Sequence, residues 1–207
     1  MEELQVNDIF YSIQGEGKYL GEPQMFLRLQ GCNFRCKWCD TREAWDGDGG
    51  VSMGMDKIID KLKRFNCSRI CVTGGEPLLQ SDKLLHLLEQ LKELNYSIVL
   101  ETNGSMVDKE IFSLVDCVSA DMKPPSSGMK STDKILSSLK HKDQLKIIVE
   151  DKTDFDFAKD VIKRCQCICY LQPVGGINVK QVANWVLNDQ LENVRVTLQL
   201  HKLMGMK

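Results

Sequence analysis

Hydrophobic and polar positions along the chain follow two periods in turn. Over residues 24–30, Met25, Leu27 and Leu29 fall on one side and Phe26, Arg28 and Gln30 on the other. That two-residue period is a strand's. Residues 6–13 read as a short extended segment before it, and further strands are expected at 69–73, 97–101, 117–121, 144–149, 167–172 and 194–200. Between them the spacing lengthens to that of helices. Residues 55–64 bury Ile58, Ile59 and Leu62, and a helix capped by Ser81 carries Leu84, Leu85, Leu87, Leu88, Leu91 and Leu94. Asp108 caps a short helix to about residue 115, and further helices are expected at 131–139, 155–164 and 179–188.

Strands alternating with helices of about ten residues predict a parallel sheet of βα units. Six or seven units are too few for a closed eight-stranded barrel. The expected fold is therefore α/β, a partial, open parallel βα barrel of about six βα units, in a single domain spanning residues 1–207. In such a barrel one strand face is apolar against the helices, and functional groups collect at the C-terminal strand ends. Arg28, Thr73, Glu101, Asp121 and Gln172 each stand near the end of a strand, opposite its main apolar face, and each is followed at once by a loop. These five predict a shared polar rim.

The loop after residue 30 carries the chemistry. Cys32-Asn33-Phe34-Arg35-Cys36-Lys37-Trp38-Cys39 places three cysteines in CxxxCxxC spacing. Thiolates are the usual iron–sulfur ligands, and three of them leave one iron of a four-iron cluster open to a small molecule. Arg35 and Lys37 partly offset the charge of such a cluster. A structural zinc knuckle is the bland alternative, but a closed zinc site needs a fourth Cys or His. None lies nearby in the sequence: after Cys39 the next are Cys67, Cys71 and His86. The stretch Asp46-Gly47-Asp48-Gly49-Gly50 has a superficial likeness to a calcium loop but lacks its later ligands and closing Glu, so it reads as a plain connection.

Composition narrows the rest. With 43% hydrophobic and 27% charged residues and a formal net charge of −2, the chain reads as an ordinary globular protein, with no expectation of a nucleic-acid or acidic membrane partner. Its start lacks the regions of a signal peptide, and no apolar run approaches the roughly 18 residues of a membrane span. A cytoplasmic location is expected, where nine cysteines serve as ligands and small buried residues rather than as disulfides. Cys165, Cys167 and Cys169 alternate as strand residues on one face would, which suits buried hydrophobes better than a second metal site. His86 and His141 do not read as catalytic, and the role of His201 stays open.

Several stretches together resemble the 7-carboxy-7-deazaguanine synthase family of radical S-adenosylmethionine (SAM) enzymes. They are Phe10-Tyr11-Ser12-Ile13-Gln14-Gly15-Glu16-Gly17, the cysteine triplet with Asp40-Thr41, Thr73-Gly74-Gly75-Glu76-Pro77, Glu101-Thr102-Asn103-Gly104, Lys123-Pro124-Pro125-Ser126-Ser127-Gly128 and Gln199-Leu200-His201-Lys202. The cysteines and Gly-Gly-Glu-Pro mark only the superfamily; the first stretch and Lys-Pro-Pro-Ser-Ser-Gly are the specific parts. The resemblance implies conversion of 6-carboxy-5,6,7,8-tetrahydropterin to 7-carboxy-7-deazaguanine with loss of ammonia, a lyase step in queuosine-type 7-deazapurine biosynthesis. It implies a 4Fe-4S cluster on Cys32, Cys36 and Cys39 in a loop spanning 31–41, SAM, and Mg2+ at Thr41. SAM contacts are implied for Trp38, Cys39, Asp40, Gly75, Glu76, Asp121, Met122, Lys123, Gln172, Pro173, Val174 and Gly175. Substrate contacts are implied for Ile13, Gln14, Gly15, Arg28 and Thr73, with Glu16 and Glu101 on the pterin's N–H edge and Arg28 clamping its carboxylate. A homodimer and an electron donor such as flavodoxin or ferredoxin come with the family. Two readings compete: a glycyl-radical activating enzyme acting on a partner protein, and a non-catalytic zinc module.

Overall fold

The computed structural model describes residues 2–176 and 178–206. The strands are β1 (Glu3–Ile13), β2 (Pro23–Leu29), β3 (Val51–Gly54), β4 (Arg69–Gly74), β5 (Ser97–Thr102), β6 (Cys117–Asp121), β7 (Gln144–Val149), β8 (Ile168–Pro173) and β9 (Val194–Val196). The helices are α1 (Met55–Leu62), α2 (Ser81–Glu93), α3 (Lys109–Leu114), α4 (Lys134–Ser138), α5 (Lys152–Ile162), α6 (Val179–Asn188) and α7 (Leu200–Met204). Strand order is β3-β1-β2-β4-β5-β6-β7-β8-β9. Every neighbour from β2 to β9 pairs in parallel, whereas β1 lies antiparallel between β2 and β3. Six crossovers, each with one of the helices α1–α6, connect the seven parallel strands, so the sheet is the open βα barrel expected.

Alternation places the core where the pattern predicts. Met25, Leu27 and Leu29 of β2 are fully buried, as are Ile70 and Val72, Ile98 and Leu100, Val118 and Ala120, and Leu145 and Ile147 on the following strands. Against them the helices bury Ile58 and Leu62, Leu84, Leu87, Leu88 and Leu91, Ile111, Ile135, and Phe155, Ala158 and Val161. Each fully buried aliphatic side chain contributes about 1.5–3 kcal/mol. The opposite strand face carries the polar residues. Arg28 pairs in register with Thr73, Glu101 with Ser119, and Asp121 with Lys146.

Four local expectations are corrected. Ser81 does not cap α2: it is the first helical residue, and Glu76 instead accepts the Leu78 N–H at the start of a 3₁₀ turn over Pro77–Gln80 that runs into the helix. Leu94 lies past the end of α2 and is exposed. The helix expected over 131–139 shrinks to α4, because the Ser131 hydroxyl accepts the Lys123 N–H and lies 3.0 Å from the Asn103 carbonyl. The last strand stops at Val196, and residues 200–204 turn into α7. The antiparallel strand β3 was not expected from the sequence at all.

Candidate active site

The C-terminal ends of the parallel strands surround one open cavity of about 190 Å³. Its first wall is the cysteine loop, which leaves β2 and is fixed at its base on both sides. Gly31 and Cys32 donate N–H groups to the carbonyls of Ala44 and Trp45, while Gly31 accepts from the Glu76 N–H. The turn of β4 comes so close that a Cβ on Gly75 would overlap the Gly31 carbonyl, which only glycine avoids. Farther along, Lys37 N–H donates to the Ser127 carbonyl and the Trp38 indole N–H to the Ser126 hydroxyl at 3.3 Å.

The Pro-Pro-Ser-Ser loop is itself held from below by Asp154, a fully buried carboxylate on α5. It accepts from the Ser126 N–H at 3.0 Å, the Ser126 hydroxyl at 2.6 Å and the Glu150 N–H at 2.9 Å. Three charge-assisted hydrogen bonds satisfy a charge that would otherwise be expensive to bury.

Cys32, Cys36 and Cys39 all line the cavity. The Phe34 N–H and the Asn103 amide point at the Cys32 sulfur, at 3.4 and 3.8 Å. Burial pushes the Cys32 and Cys36 thiols up; the Cys32 hydrogen bonds and the Lys123 ammonium near Cys36 oppose that. Such donors suit sulfurs that carry negative charge as cluster ligands. Among the described residues no three His, Cys, Asp or Glu side chains gather tightly enough for a single metal ion. Three cysteine sulfurs on one cavity wall suit a cluster with three protein ligands better than a closed zinc site, which takes four.

Arg28, Thr73, Glu101 and Asp121 line the same cavity, as the rim reading requires, together with Ile13, Gln14, Gly15, Glu16, Trp38, Asp40, Thr41, Gly75 and Lys123. Arg28 is largely buried, its guanidinium 5.2 Å from the Phe10 ring centroid and 3.7 Å from Glu43. Gln14 donates to Glu101 at 3.3 Å, and Thr73 donates to the other Glu101 oxygen at 3.1 Å. Lys123 pairs with Asp121 at 2.6 Å and lies over the Trp38 ring. Thr41 hydrogen-bonds Asp40 at 3.2 Å.

Other expected contacts fall elsewhere. Glu76 is fully buried behind the cavity wall, where it accepts from Leu78 N–H, the Thr102 hydroxyl and Asn103 N–H. It ties the ends of β4 and β5 together, and burial raises its pKa to about 7 against those donors. The Met122 side chain packs in the hydrophobic core. Pro173, Val174 and Gly175 continue β8 into a turn outside the cavity lining. Gln172 is also buried outside the lining, in register with Ile148, which does line it. Both of its amide atoms lack a hydrogen-bond partner among the described residues.

Sequence reasoning missed several residues here. Lys146, in the middle of β7, is buried with its ammonium 2.7 Å from Glu16 and 3.6 Å from both Glu101 and Asp121. Burial alone would neutralise it, yet the three carboxylates hold its pKa well above the usual lysine value. In turn Lys123 and Lys146 outweigh burial and lower the pKa of Asp121. The sequence does place Gln144, Lys146 and Ile148 on one strand face, but not the carboxylates they meet. Gln199 donates to Glu16 at 2.6 Å, Leu200 N–H donates to the Gly15 carbonyl, and Lys202 stands 3.0 Å from Asp40. His201, left open by the sequence, lines the cavity so close to Gly15 that a Cβ there would overlap its ring. Burial alone would raise the Asp40 pKa, but His201 and Lys202 hold it well below the carboxylate range.

Comparisons with known proteins place this geometry. Residues 27–166 match the Radical SAM superfamily. The chain is 34% identical to 7-carboxy-7-deazaguanine synthase of Methanospirillum hungatei JF-1, over 98% of this chain and 86% of that one. Identity is 35% to the synthase of Thermoplasma acidophilum, over 96% of each, and 33% to that of Bacillus subtilis, over 93% and 92%. Among solved structures, QueE from Escherichia coli superposes with a TM-score of 0.75 at 20% identity, over 96% of this chain and 95% of that one. SuiB from Streptococcus suis reaches 0.58 at 11% identity, over 82% and 47%. At such low identities the two structures speak for the fold alone. The full-length sequence matches, with the three cysteines on one cavity wall, establish that the chain belongs to the radical SAM superfamily and, within it, to the 7-carboxy-7-deazaguanine synthase family.

Proposed function

We propose that the chain converts 6-carboxy-5,6,7,8-tetrahydropterin to 7-carboxy-7-deazaguanine and ammonia in 7-deazapurine biosynthesis. The observation that carries this reading is one cavity in which Arg28 stands with Glu16 and Glu101, beside the three cysteines. A planar guanidinium pairs bidentately with a carboxylate, and carboxylates accept from the N–H edge of a pterin. A flat heterocycle with an acid at one end matches that polarity. An activating enzyme for glycyl radicals must instead admit a polypeptide backbone, and the family membership disfavours it.

The family implies a 4Fe-4S cluster, which Cys32, Cys36 and Cys39 would hold, and SAM beside it. When bound, the pair would supply the reducing electron and the radical chemistry. The protein's part is positioning and the exclusion of water. Trp38, Lys123 and Asp121 line the cavity together with the cysteines, and Asp40 lies 3.9 Å from His201. The orphaned amide of Gln172 suits a further cofactor contact. Lys146 fixes Glu16, Glu101 and Asp121 from beneath, so the carboxylates are oriented before any ligand enters. We assign Mg2+ to Thr41, which lines the cavity and whose hydroxyl hydrogen-bonds Asp40; a hard ion there would find oxygen donors.

Arg35 and Lys37 stay exposed on the cluster loop, which suits an acidic electron donor such as flavodoxin or ferredoxin. The reading carries a homodimer and a cytoplasmic location with it, and among the described residues no helix is long and apolar enough to cross a membrane. The test is turnover by anaerobically reconstituted protein with SAM, Mg2+ and a reductant. Product and ammonia are expected in equal amounts. SAM cleavage without consumption of the pterin, or radical formation on a partner protein, would overturn the assignment.

A further inference from the structure

Cys165, Cys167 and Cys169 belong neither to the cluster loop nor to the cavity lining. They lie where α5 hands over to β8, at the N-terminal end of that strand, while the cavity gathers C-terminal ends. Cys169 is inside β8 and fully buried; Cys167 just precedes the strand and is buried; Cys165 sits in the bend and is half-buried. In a regular strand, residues two apart are separated by about 7 Å. Here the bend brings the Cys165 and Cys167 sulfurs to 3.3 Å.

The Cys169 thiol lies 3.9 Å from the Cys167 carbonyl, to which it donates, so the Cys167 sulfur is left to face Cys165. At that distance the Cys167 thiol can donate to the Cys165 sulfur, which favours the Cys165 thiolate, while the same contact and burial push Cys167 up. The pair therefore divides labour: one thiol is reachable and activated, and its neighbour is buried and in contact with it.

We propose that Cys165 and Cys167 form a dithiol–disulfide site whose oxidant is a small-molecule disulfide, with glutathione disulfide as the probe. The Cys165 thiolate attacks one sulfur of the oxidant, whose S–S bond breaks. The departing glutathione takes up the proton that Cys165 gave. Cys167 loses its proton and attacks the Cys165 sulfur of the mixed disulfide, and the second glutathione leaves with that proton. In sum the protein pair loses two electrons and two protons, and one oxidant disulfide becomes two thiols. Cys169 stays a thiol, donating to the Cys167 carbonyl. Because the bridge closes a very short loop it removes little chain entropy, so it is readily reduced again.

The test uses cluster-loaded protein kept anaerobic in glutathione buffers from reducing to oxidising, then acid-quenched, alkylated and mapped by peptide mass. Cys165 and Cys167 should lose alkylation together, their peptide lighter by two hydrogens, and excess glutathione should restore both. Cys167→Ser should stop at a glutathione adduct on Cys165, and Cys165→Ser should show neither species. Should a variant fail to fold, the wild-type time course decides, because an adduct on Cys165 must precede the bridge. Both thiols alkylated in the most oxidising buffer, a lasting adduct beside a free Cys167, or a bridge to Cys169 would each overturn the proposal.

Discussion

The Lys146 ammonium lies 2.7 Å from the Glu16 carboxylate, joining the middle of β7 to the turn that follows β1. Glu101 and Asp121 complete its surroundings. Lys146→Met leaves three carboxylates facing one another without their cation. Breaking a buried pair costs about 3–5 kcal/mol, so denaturant unfolding at neutral pH should show a loss of that order. Asp121, whose pKa the two lysines depress, contributes stability above the unfolded carboxylate pKa and loses it as pH falls through its lowered value. The gap between wild type and Lys146→Met should therefore narrow on acidification. A gap independent of pH would mean that the lysine acts by packing alone.

Arg28→Ala should weaken apparent affinity for the carboxypterin about 10–100-fold, the worth of a charge-assisted pair. Cluster content and SAM cleavage without substrate should be unchanged. Unaltered affinity in steady-state kinetics would remove the clamp.

Asp154 touches no ligand, yet it holds the loop on which the cysteine loop rests. Asp154→Ala orphans the N–H groups of Ser126 and Glu150, each worth about 1–3 kcal/mol if left unsatisfied. Iron and sulfide retained per chain after reconstitution and desalting should fall, alongside a lower melting temperature. Full retention would show that the loop stands without this support.

Thr41→Ala should lower the response of turnover to added Mg2+ while leaving cluster absorbance intact. A titration with Mg2+ superimposing on the wild-type curve would withdraw the ligand assignment.

Glu76 gives a pH dependence of the opposite sign to Asp121. Its folded pKa, about 7, is above the ordinary 4.5, so its protonated form is favoured by folding. Its contribution is fully present below pH 4.5 and is lost as pH rises through 7. Unfolding free energies across that window should fall with pH in the wild type, and Glu76→Gln should flatten this part of the slope.

The barrel was legible because its strands obey a strict alternation. The strands Cys117–Asp121 and Gln144–Val149 fall where the pattern sets them, and so does the helix Val179–Asn188 with its longer period. Val51–Gly54 has no such alternation; it is a strand because residues 3–6 offer an edge to pair with. Arg28, Thr73, Glu101 and Asp121 were readable as a rim from strand phase alone. Lys146 was not, because a lone lysine in an apolar strand acquires meaning only from carboxylates on three distant elements. Glu76 and Met122 carry family-like motifs whose side chains turn inward, a direction that motif spacing does not encode. The strand expected through residue 200 ended early because Gln199 and Leu200 find partners in the turn at Gly15 and Glu16.

That meeting of Gln199 with Glu16 spans 183 positions of sequence. The entropy of closing so long a loop grows only with the logarithm of its length, and it is spent during folding, before any pterin arrives. A fragment ending short of Gln199 would keep its hydrophobic interior but lose this latch, leaving a groove that each incoming molecule must organise for itself.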